Sequence, residues 1–283
     1  MRYNSNFKEG KSSVRYILAV AAGKGGVGKS SLSVGLALAL EEAGYSVGIL
    51  DADLYGPSLG KMLPLEKSIS RSDDGEFLLP GEFHGVKAFS LAHLKTEDEA
   101  MIVRAPIVNG LILQCIKDVF WGELDFLFVD FPPGTGDIQL TLMQEMLFSG
   151  AVLVTTPQEV AVIDVKKAAQ MFHQMGVPVL GIIENMSYFE DPENGKRHFV
   201  FGEGGGERLG EFLGVPLLGQ IPIDPSICLS ADLGKNVVKE FPEASSVVLL
   251  RKVIKEISDR LLLLDQLEGK YLKSFDLVWE DMG

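Results

Sequence analysis

The sequence predicts an α/β fold in which a mostly parallel sheet is covered by helices on both faces. Short, continuous apolar runs alternate along the chain with longer amphipathic stretches. Strands that are buried on both faces have such continuous runs, whereas a sheet with one solvated face shows strict alternation. Of the 283 residues, 46% are hydrophobic and 23% are charged, which is typical of a globular protein with a sizeable core.

Each predicted element follows from its local pattern, and strands and helices in this alternation are typical of βαβ units. The predicted strands are Tyr16–Ala21, Val47–Leu50, Val86–Leu91, Phe126–Val129, Ala151–Thr155, Val179–Ile183 and Leu217–Ile221. The predicted helices between them are Lys29–Ala43, Val108–Phe120, Ile138–Phe148, Val162–Met175 and Glu207–Leu213. Two segments, Pro57–Gly85 and Met186–Gly206, are rich in charge and turn residues and are predicted loops or small insertions.

A last helix is predicted over Ala244–Leu264. From Leu250 to Leu264, apolar residues recur at alternating spacings of four and three, which places them on one helical face. A membrane-surface helix would need a basic polar face, yet Lys270–Gly283 has two lysines against three acids. We therefore expect this helix to pack on the core or in a dimer.

The charge balance excludes several classes of partner. The chain has 26 Lys and Arg against 39 Asp and Glu, a formal net charge of -13. Sequence-independent binding to nucleic acid or to an anionic membrane needs clustered positive charge, so we expect neither. The polar N-terminus does not resemble a signal peptide, and no apolar stretch approaches membrane-spanning length. Two cysteines, Cys115 and Cys228, cannot form a disulfide framework, which favours the reducing cytoplasm.

A glycine-rich loop, Gly23–Ser31, follows the first predicted strand. It fits both the G-x-G-x-x-G fingerprint of dinucleotide-binding proteins and the G-x-x-x-x-G-K-[ST] pattern of the P-loop. A triphosphate needs more positive charge than a pyrophosphate diester, and it needs a metal. Lys29 can reach the β- and γ-phosphates, and the Ser30 hydroxyl can ligate Mg²⁺. This pair favours a P-loop over the fingerprint of a dinucleotide-dependent oxidoreductase. The residues predicted to cradle the nucleotide are Gly23, Lys24, Gly25, Gly26, Val27, Gly28, Lys29, Ser30 and Ser31.

Acidic residues follow predicted strands at the edge of the sheet where the P-loop lies. Asp130 ends the apolar run Leu127–Val129, which is the Walker B pattern, and leads into the turn-rich segment Phe131–Asp137. Asp51 and Asp53 follow the second predicted strand. Because the carboxyl ends of parallel strands meet at one edge of a sheet, we expect these carboxylates near the nucleotide and its metal.

The loop also resembles a narrower class. With the second lysine, Lys24, the string Lys-Gly-Gly-Val-Gly-Lys-Ser is similar to the deviant Walker A motif of the MinD/ParA/nitrogenase-iron-protein class. The further matching segments are Asp51–Ser58, Asp130–Asp137, Gly181–Phe189, Phe201–Gly206 and Gly219–Asp224. Together they resemble the Mrp/ApbC family of iron–sulfur cluster carrier ATPases, over about residues 15 to 238.

The resemblance implies a homodimer that closes around two ATP molecules, and it implies a role for each matching residue. Lys29, Ser30 and Ser31 would hold the phosphates and Mg²⁺, and Lys24 would reach the nucleotide of the second subunit. Asp53 would orient the attacking water. The metal ligands and their water shell would involve Ser30, Asp51 and Asp130.

At the base end of the nucleotide, the resemblance implies that Asn185 recognises adenine and that Pro222 and Asp224 line the base. The residues alone leave another interpretation open, since an Asn after a buried strand is often a cap or turn residue.

One departure from the family's pattern concerns the cluster. The family usually has Cys-Pro-x-Cys after the segment matching Tyr188 and Phe189, and paired subunits use it to bridge a [4Fe–4S] cluster. Here Pro192 is kept, but Asp191 and Asn194 stand where the cysteines would be. Clusters need soft thiolates, whereas carboxylate and amide oxygens suit hard cations. We therefore expect no [4Fe–4S] cluster at the usual site.

Other residues do not obviously replace the missing thiolates. Cys115 lies in an apolar predicted helix, and both it and Cys228 are expected to be packing residues. For Cys228, a place near the dimer edge is the alternative. Asp191, Glu193 and His198 could form a hard-metal site, but we favour a solvated acidic loop.

We interpret the chain as one P-loop ATPase domain over 15–268, with an N-terminal arm over 1–14 and a tail over 269–283. The first hypothesis is a cytoplasmic, ATP-hydrolysing homodimer of the Mrp type. It would act on protein clients in iron–sulfur cluster assembly or transfer, without the usual cluster ligands. The alternative is a cluster-free dimeric ATP switch, similar to MinD and ParA, that positions or recruits a protein partner.

Overall fold

In a computed structural model, the chain is described over residues 12–53, 59–90 and 110–266, apart from 111, 114 and 115. The strands are β1 (Ser13–Ala22), β2 (Val47–Asp51), β3 (Ser70–Arg71), β4 (Leu78–Leu79), β5 (Gly81–Phe83), β6 (Val86–Ser90), β7 (Glu123–Asp130), β8 (Gly150–Thr155), β9 (Val179–Glu184), β10 (Phe189–Glu190), β11 (Arg197–His198) and β12 (Leu217–Gln220). The helices are α1 (Lys29–Glu42), α2 (Leu59–Met62), α3 (Asp137–Glu145), α4 (Glu159–Gln174), α5 (Gly205–Leu213), α6 (Pro225–Leu233), α7 (Val237–Glu240) and α8 (Ser245–Gln266).

The main sheet has eight strands in the order β12-β9-β8-β1-β7-β2-β6-β5. All neighbouring pairs are parallel except β5 with β6, which form an antiparallel edge. The predicted α/β fold with a mostly parallel sheet is confirmed, and each of the seven predicted strands is present. Two small antiparallel pairs, β3 with β4 and β10 with β11, lie outside this sheet.

Two apolar cores cover the two faces of the sheet. Along β1, Ile17 and Ala19 point into one core, and Leu18 and Val20 point into the other. The first core is closed by α3, α4 and α5, and the second by α1 and α8. This arrangement explains the continuous apolar runs, because both faces of each central strand are buried.

The C-terminal helix α8 packs on the core of this chain. Its face from Leu250 to Leu261 is buried as predicted, and Gly35 of α1 comes so close to Leu250 that a Cβ there would lie 2.8 Å from Cδ1. The Tyr16 hydroxyl donates a hydrogen bond to Asp265 at the end of α8. Burial and the Asp265 carboxylate together raise the pKa of Tyr16 to about 12. A hydrogen bond thus joins the C-terminal end of α8 to β1.

Several predicted segments fall partly or wholly outside the described residues. Of the predicted helix Val108–Phe120, residues 110, 112–113 and 116–118 are helical. The tail at 269–283 and residues 1–11 of the arm are not described, and β1 already begins at Ser13. None of the described helices is long and apolar enough to cross a bilayer.

Candidate functional site

The glycine-rich loop runs from the end of β1 to the first residue of α1, as predicted. Gly26 and Gly28 have φ angles of 81° and 80°, a left-handed conformation that glycine adopts without strain. Gly28 is the N-cap of α1 and, as a glycine, has no side chain that could cap the first backbone N–H groups of the helix. The first backbone N–H groups of α1 therefore point toward the loop, where the positive end of the helix dipole favours an anion.

Two of the loop glycines are required by close packing. A Cβ on Gly23 would lie 2.2 Å from the carbonyl carbon of Asp164 in α4. A Cβ on Gly28 would lie 2.2 Å from the side-chain nitrogen of Asn185. The loop is therefore held between α4 on one side and the segment after β9 on the other.

The loop forms one wall of a cavity of about 740 Å³. Asp53 and Met62 line it beside the loop, and the opposite wall is the turn after β7 with the start of α3. The cavity is lined by Lys24, Gly25, Gly26, Val27, Gly28, Lys29, Ser30, Ser31, Asp53, Met62, Pro132, Pro133, Gly136, Asp137, Ile138 and Gln139. Every residue of the predicted phosphate cradle except Gly23 thus faces this cavity.

Asp130 is the buried centre of the polar cluster beside the loop. Its side chain is 0% exposed, and its Oδ2 accepts a hydrogen bond of 2.6 Å from the Ser30 hydroxyl and lies 2.8 Å from the Lys29 ammonium. Its Oδ1 accepts a hydrogen bond of 2.6 Å from the Ser33 hydroxyl. The predicted meeting of Asp130 with the lysine and serine of the loop is present in the structure.

Asp51 lies beside Asp130, since the two residues are paired in the register of β2 and β7. It is 1% exposed, and its carboxylate accepts hydrogen bonds of 2.8 Å from the Ser90 hydroxyl and 3.0 Å from the Asp53 backbone N–H. Burial, together with the nearby Asp130 charge, raises the pKa of Asp51 to about 7. A site that binds a cation here would relieve this repulsion between two carboxylates.

Lys24 lies at the rim of the cavity. Its ammonium is 3.4 Å from the side-chain oxygen of Gln158, at the start of α4. It is partly exposed, whereas Lys29 is buried. The two lysines of the loop thus occupy different environments, one inside the cavity and one at its edge.

Sequence reasoning missed two buried polar side chains at the site. Gln139 donates both amide hydrogens, to the carbonyls of Pro132 and Pro133 at 3.0 and 2.9 Å, and so fixes the turn after β7. Ser33 lies in an apolar stretch of the predicted helix Lys29–Ala43 and belongs to none of the motifs, so the sequence did not indicate it. The sequence indicated Gln139 only by its position two residues beyond the end of the matching segment Asp130–Asp137.

The residues predicted to surround a base are spread more widely. Asn185 donates from its side-chain nitrogen to the Val27 carbonyl at 2.8 Å, which brings it against the loop. Asp224 caps α6 by accepting from the Ser226 N–H, and it also accepts from the Ser246 hydroxyl. Burial alone would raise the pKa of Asp224, but hydrogen bonds from these two serines lower it below the ordinary value. Pro222 is buried nearby, and neither it nor Asp224 lines the cavity.

The segment in place of the cysteine pair forms the turn of the β10–β11 hairpin. The side chains of Asp191 and Asn194 meet in a hydrogen bond of 2.7 Å, and the Glu193 N–H donates to Asp191 at 2.9 Å. Among the described residues, no three His, Cys, Asp or Glu side chains are grouped so that they could hold a metal. The alternative hard-metal site with His198 is therefore not formed.

The cysteine predictions have different outcomes. Cys228 is exposed on α6, so the expectation that it packs in the core is wrong; the short helix turns it toward solvent. Cys115 lies outside the described residues.

The chain matches a family model, ParA, described as "NUBPL iron-transfer P-loop NTPase", over residues 13–258. It is 45% identical over 248 residues to an "Iron-sulfur cluster carrier protein" of Deinococcus radiodurans, covering 88% of this chain and 70% of that protein. A protein with the same description from Pyrococcus horikoshii is 43% identical over 265 residues, covering 89% of this chain and 90% of the relative.

Solved structures agree with the fold. A nucleotide-binding protein from Archaeoglobus fulgidus, in complex with ADP, superposes with a TM-score of 0.68 at 40% identity, covering 79% of this chain and 88% of that one. The cell division ATPase MinD of Pyrococcus furiosus superposes with a TM-score of 0.63 at 22% identity, covering 87% and 99%. The second likeness concerns the fold alone.

Proposed function

Since this chain belongs to the family of NUBPL iron-transfer P-loop NTPases, we propose that it binds and hydrolyses ATP as a cytoplasmic homodimer and serves iron–sulfur cluster assembly or transfer. The names of its relatives support the cluster pathway, because proteins at 45% and 43% identity are iron–sulfur cluster carriers. The net charge of -13 favours protein clients over nucleic acid or lipid.

The single observation that carries the nucleotide part is the contact of Asp130 with Lys29 and Ser30 at the cavity. A triphosphate bound along the loop would meet the N-terminus of α1 and the Lys29 ammonium, which together neutralise phosphate charge. Lys29 and Ser30 would then turn from the carboxylate to the nucleotide. The ion pair therefore holds the phosphate-binding side chains ready in the free protein.

The donors around Asp130 also fit Mg²⁺, which prefers oxygen ligands and keeps several of its waters. Ser30 and Asp130 supply a hydroxyl and a carboxylate 2.6 Å apart, and Asp51 supplies a second carboxylate next to them. When bound, the ion would add positive charge at the phosphates. Ser30 would hold it directly, and the two carboxylates would accept hydrogen bonds from its waters.

Hydrolysis needs a group that orients water and positive charge near the transferred phosphoryl group. Asp53 lines the cavity, where its carboxylate can accept a hydrogen bond from an attacking water. Lys24 lies at the rim, where a long ammonium side chain can reach into the cavity of a second subunit. Closing of the dimer would therefore couple to hydrolysis through Lys24.

The cluster is cargo rather than a resident group, and the hairpin turn does not fit it. Asp191 and Asn194 offer oxygen and nitrogen atoms that already bond each other, not two thiolates. We therefore propose that the protein assists assembly or transfer without holding a cluster at this turn. The same observation favours the second candidate, a cluster-free ATP switch that recruits a protein partner.

Two assays separate the candidates. ATP hydrolysis by the purified protein, with Mg²⁺ and with EDTA, tests the shared ATPase proposal, and absence of Mg²⁺-dependent hydrolysis would refute it. Transfer from a chemically reconstituted [4Fe–4S] donor to an apo-acceptor, with and without ATP, tests the cluster pathway. An ATP-dependent increase in acceptor loading supports that pathway, whereas hydrolysis without any effect on loading supports the cluster-free switch.

A further inference from the structure

Ser33 lies outside every motif that defines the nucleotide site, yet it contacts the central carboxylate. Its hydroxyl is buried at 0% exposure and donates to Oδ1 of Asp130 at 2.6 Å. Lys29 and Ser30 contact the other oxygen, Oδ2. One oxygen of the carboxylate therefore bonds to Lys29 and Ser30 at the end of the loop, and the other bonds to Ser33, one turn further along α1.

Helix geometry explains this placement. Residues three and four apart share one face of a helix, so Ser33 lies directly above Lys29 and Ser30 on the face that meets β7. The neighbouring positions Leu32 and Leu36 are buried in the apolar core. A hydroxyl in such surroundings costs free energy unless it is hydrogen-bonded, and a carboxylate is a strong acceptor.

An ordinary structural role would leave a different pattern. A serine inside a helix commonly donates to the carbonyl four residues earlier, and the Ser33 oxygen is indeed 3.1 Å from the Lys29 carbonyl. A hydroxyl has only one hydrogen to donate. The shorter distance and the charged acceptor assign that hydrogen to Asp130.

We infer that Ser33 is a positioning residue, which holds the Asp130 carboxylate in one orientation so that Oδ2 faces the metal throughout the nucleotide cycle. This inference rests on the proposed function, in which Lys29 and Ser30 leave Asp130 to bind nucleotide and Mg²⁺. Ser33 does not line the cavity and has no such competing partner. Of the three side chains described here on Asp130, it is therefore the one whose contact persists when nucleotide binds.

The test is the Mg²⁺ dependence of nucleotide binding in Ser33→Ala and Ser33→Cys. The cysteine is close to serine in size but a weak donor, so it keeps the core filled if the alanine variant fails to fold. Affinity for a fluorescently labelled ADP is measured over a Mg²⁺ titration and in EDTA. We expect both variants to need about tenfold more Mg²⁺, equivalent to about 1.4 kcal/mol, with unchanged affinity in EDTA.

Ser187→Ala is the matched control, because the buried Ser187 hydroxyl also donates to a buried carboxylate, Glu184, at 2.6 Å. It should lower the melting temperature to a similar degree without shifting the Mg²⁺ requirement. A wild-type Mg²⁺ requirement in folded Ser33 variants would overturn the inference, as would an equal shift in Ser187→Ala. If the wild-type protein itself shows no Mg²⁺-dependent binding, the proposed function fails instead.

Discussion

Asp51 and Asp130 face each other on adjacent parallel strands, and both are almost completely buried. Two carboxylates in such a place repel each other, and the two acids have different partners that offset this repulsion. Asp130 has the Lys29 ammonium at 2.8 Å, whereas Asp51 has no basic partner among its described hydrogen bonds and ion pairs. Lys29 therefore pairs directly with Asp130 and offsets only part of the effect of burial on Asp51.

This difference predicts a pH-dependent stability. The pKa of Asp51 is about 7 in the folded protein and near 3.8 without the fold, so the folded state binds more protons between these values. The contribution of Asp51 to the free energy of unfolding is fully present below about pH 3.8 and is lost as the pH rises through 7. Urea unfolding in EDTA should show stability falling by up to about 4 kcal/mol over this window. Asp51→Asn should remove that part of the slope, and an identical slope in the variant would contradict the assignment.

Lys29→Ala should weaken ATP binding by about 100-fold, because a hydrogen bond to a charged group is worth about 1.5–3 kcal/mol. Isothermal titration calorimetry with ATP and Mg²⁺ measures this directly. Lys235→Ala removes a lysine from a surface ion pair with Glu240 and should bind as the wild type does. Retained affinity in Lys29→Ala would refute the P-loop assignment.

Asp53→Asn should bind ATP with little change but hydrolyse it about 10²- to 10⁴-fold more slowly, which is the usual contribution of a positioned acid or base. Binding is expected to survive because the asparagine keeps the size of the side chain and the Asp53 backbone N–H still donates to Asp51. Single-turnover phosphate release checks the prediction. An unchanged rate would exclude Asp53 from the orientation of water.

Anaerobic reconstitution with iron and sulfide should leave no stable cluster on the wild-type protein, because the turn offers no thiolates. The side chains of Asp191 and Asn194 meet at 2.7 Å, so two cysteines placed there would lie close together. We expect Asp191→Cys/Asn194→Cys to retain iron and sulfide in near-equal amounts after gel filtration. Stoichiometric iron and sulfide on the wild-type chain would show that other ligands hold a cluster.

Gly23→Ala should destabilise the fold by about 1–3 kcal/mol, since the added methyl group would overlap the backbone of α4. Gly25→Ala is the comparison within the same loop, because a Cβ there meets nothing within 4 Å. Chemical unfolding without nucleotide should therefore separate the two variants. Equal stabilities would mean that the loop does not pack against α4 as described.

The sequence predicted those parts of the structure that depend on local pattern. Continuous apolar runs located each strand of the parallel sheet, and the loop motif located Lys29 and Ser30. The short helices α6 and α7 were missed. Helix α6 buries only Ser226 and Ser230 and thus has no apolar periodicity, and α7 has only four residues, too few to show one. Residues whose roles depend on tertiary contacts could not be identified in this way.

Ser33 and Asp224 show why such contacts escape a sequence. Ser33 becomes part of the site only because α1 packs over the end of β7, and nothing in its own neighbourhood marks it. Asp224 matched a motif, yet its oxygens are used to cap α6 and to hold Ser246 at the start of α8. A motif predicts which residue is present, and packing decides what its side chain contacts.

Close packing of Gly23 against the backbone at Asp164 joins the glycine-rich loop to α4. A loop pressed against a helix backbone cannot shift without carrying α4 with it, and α4 is anchored in the first core. The opposite wall is held by the two amide hydrogens of Gln139 and by the Gly134 N–H, which donates to the Ala22 carbonyl of β1 at 3.2 Å. Both walls are therefore fixed to elements of the packed core, so the sheet and its covering helices set the shape of the cavity before any ligand enters it.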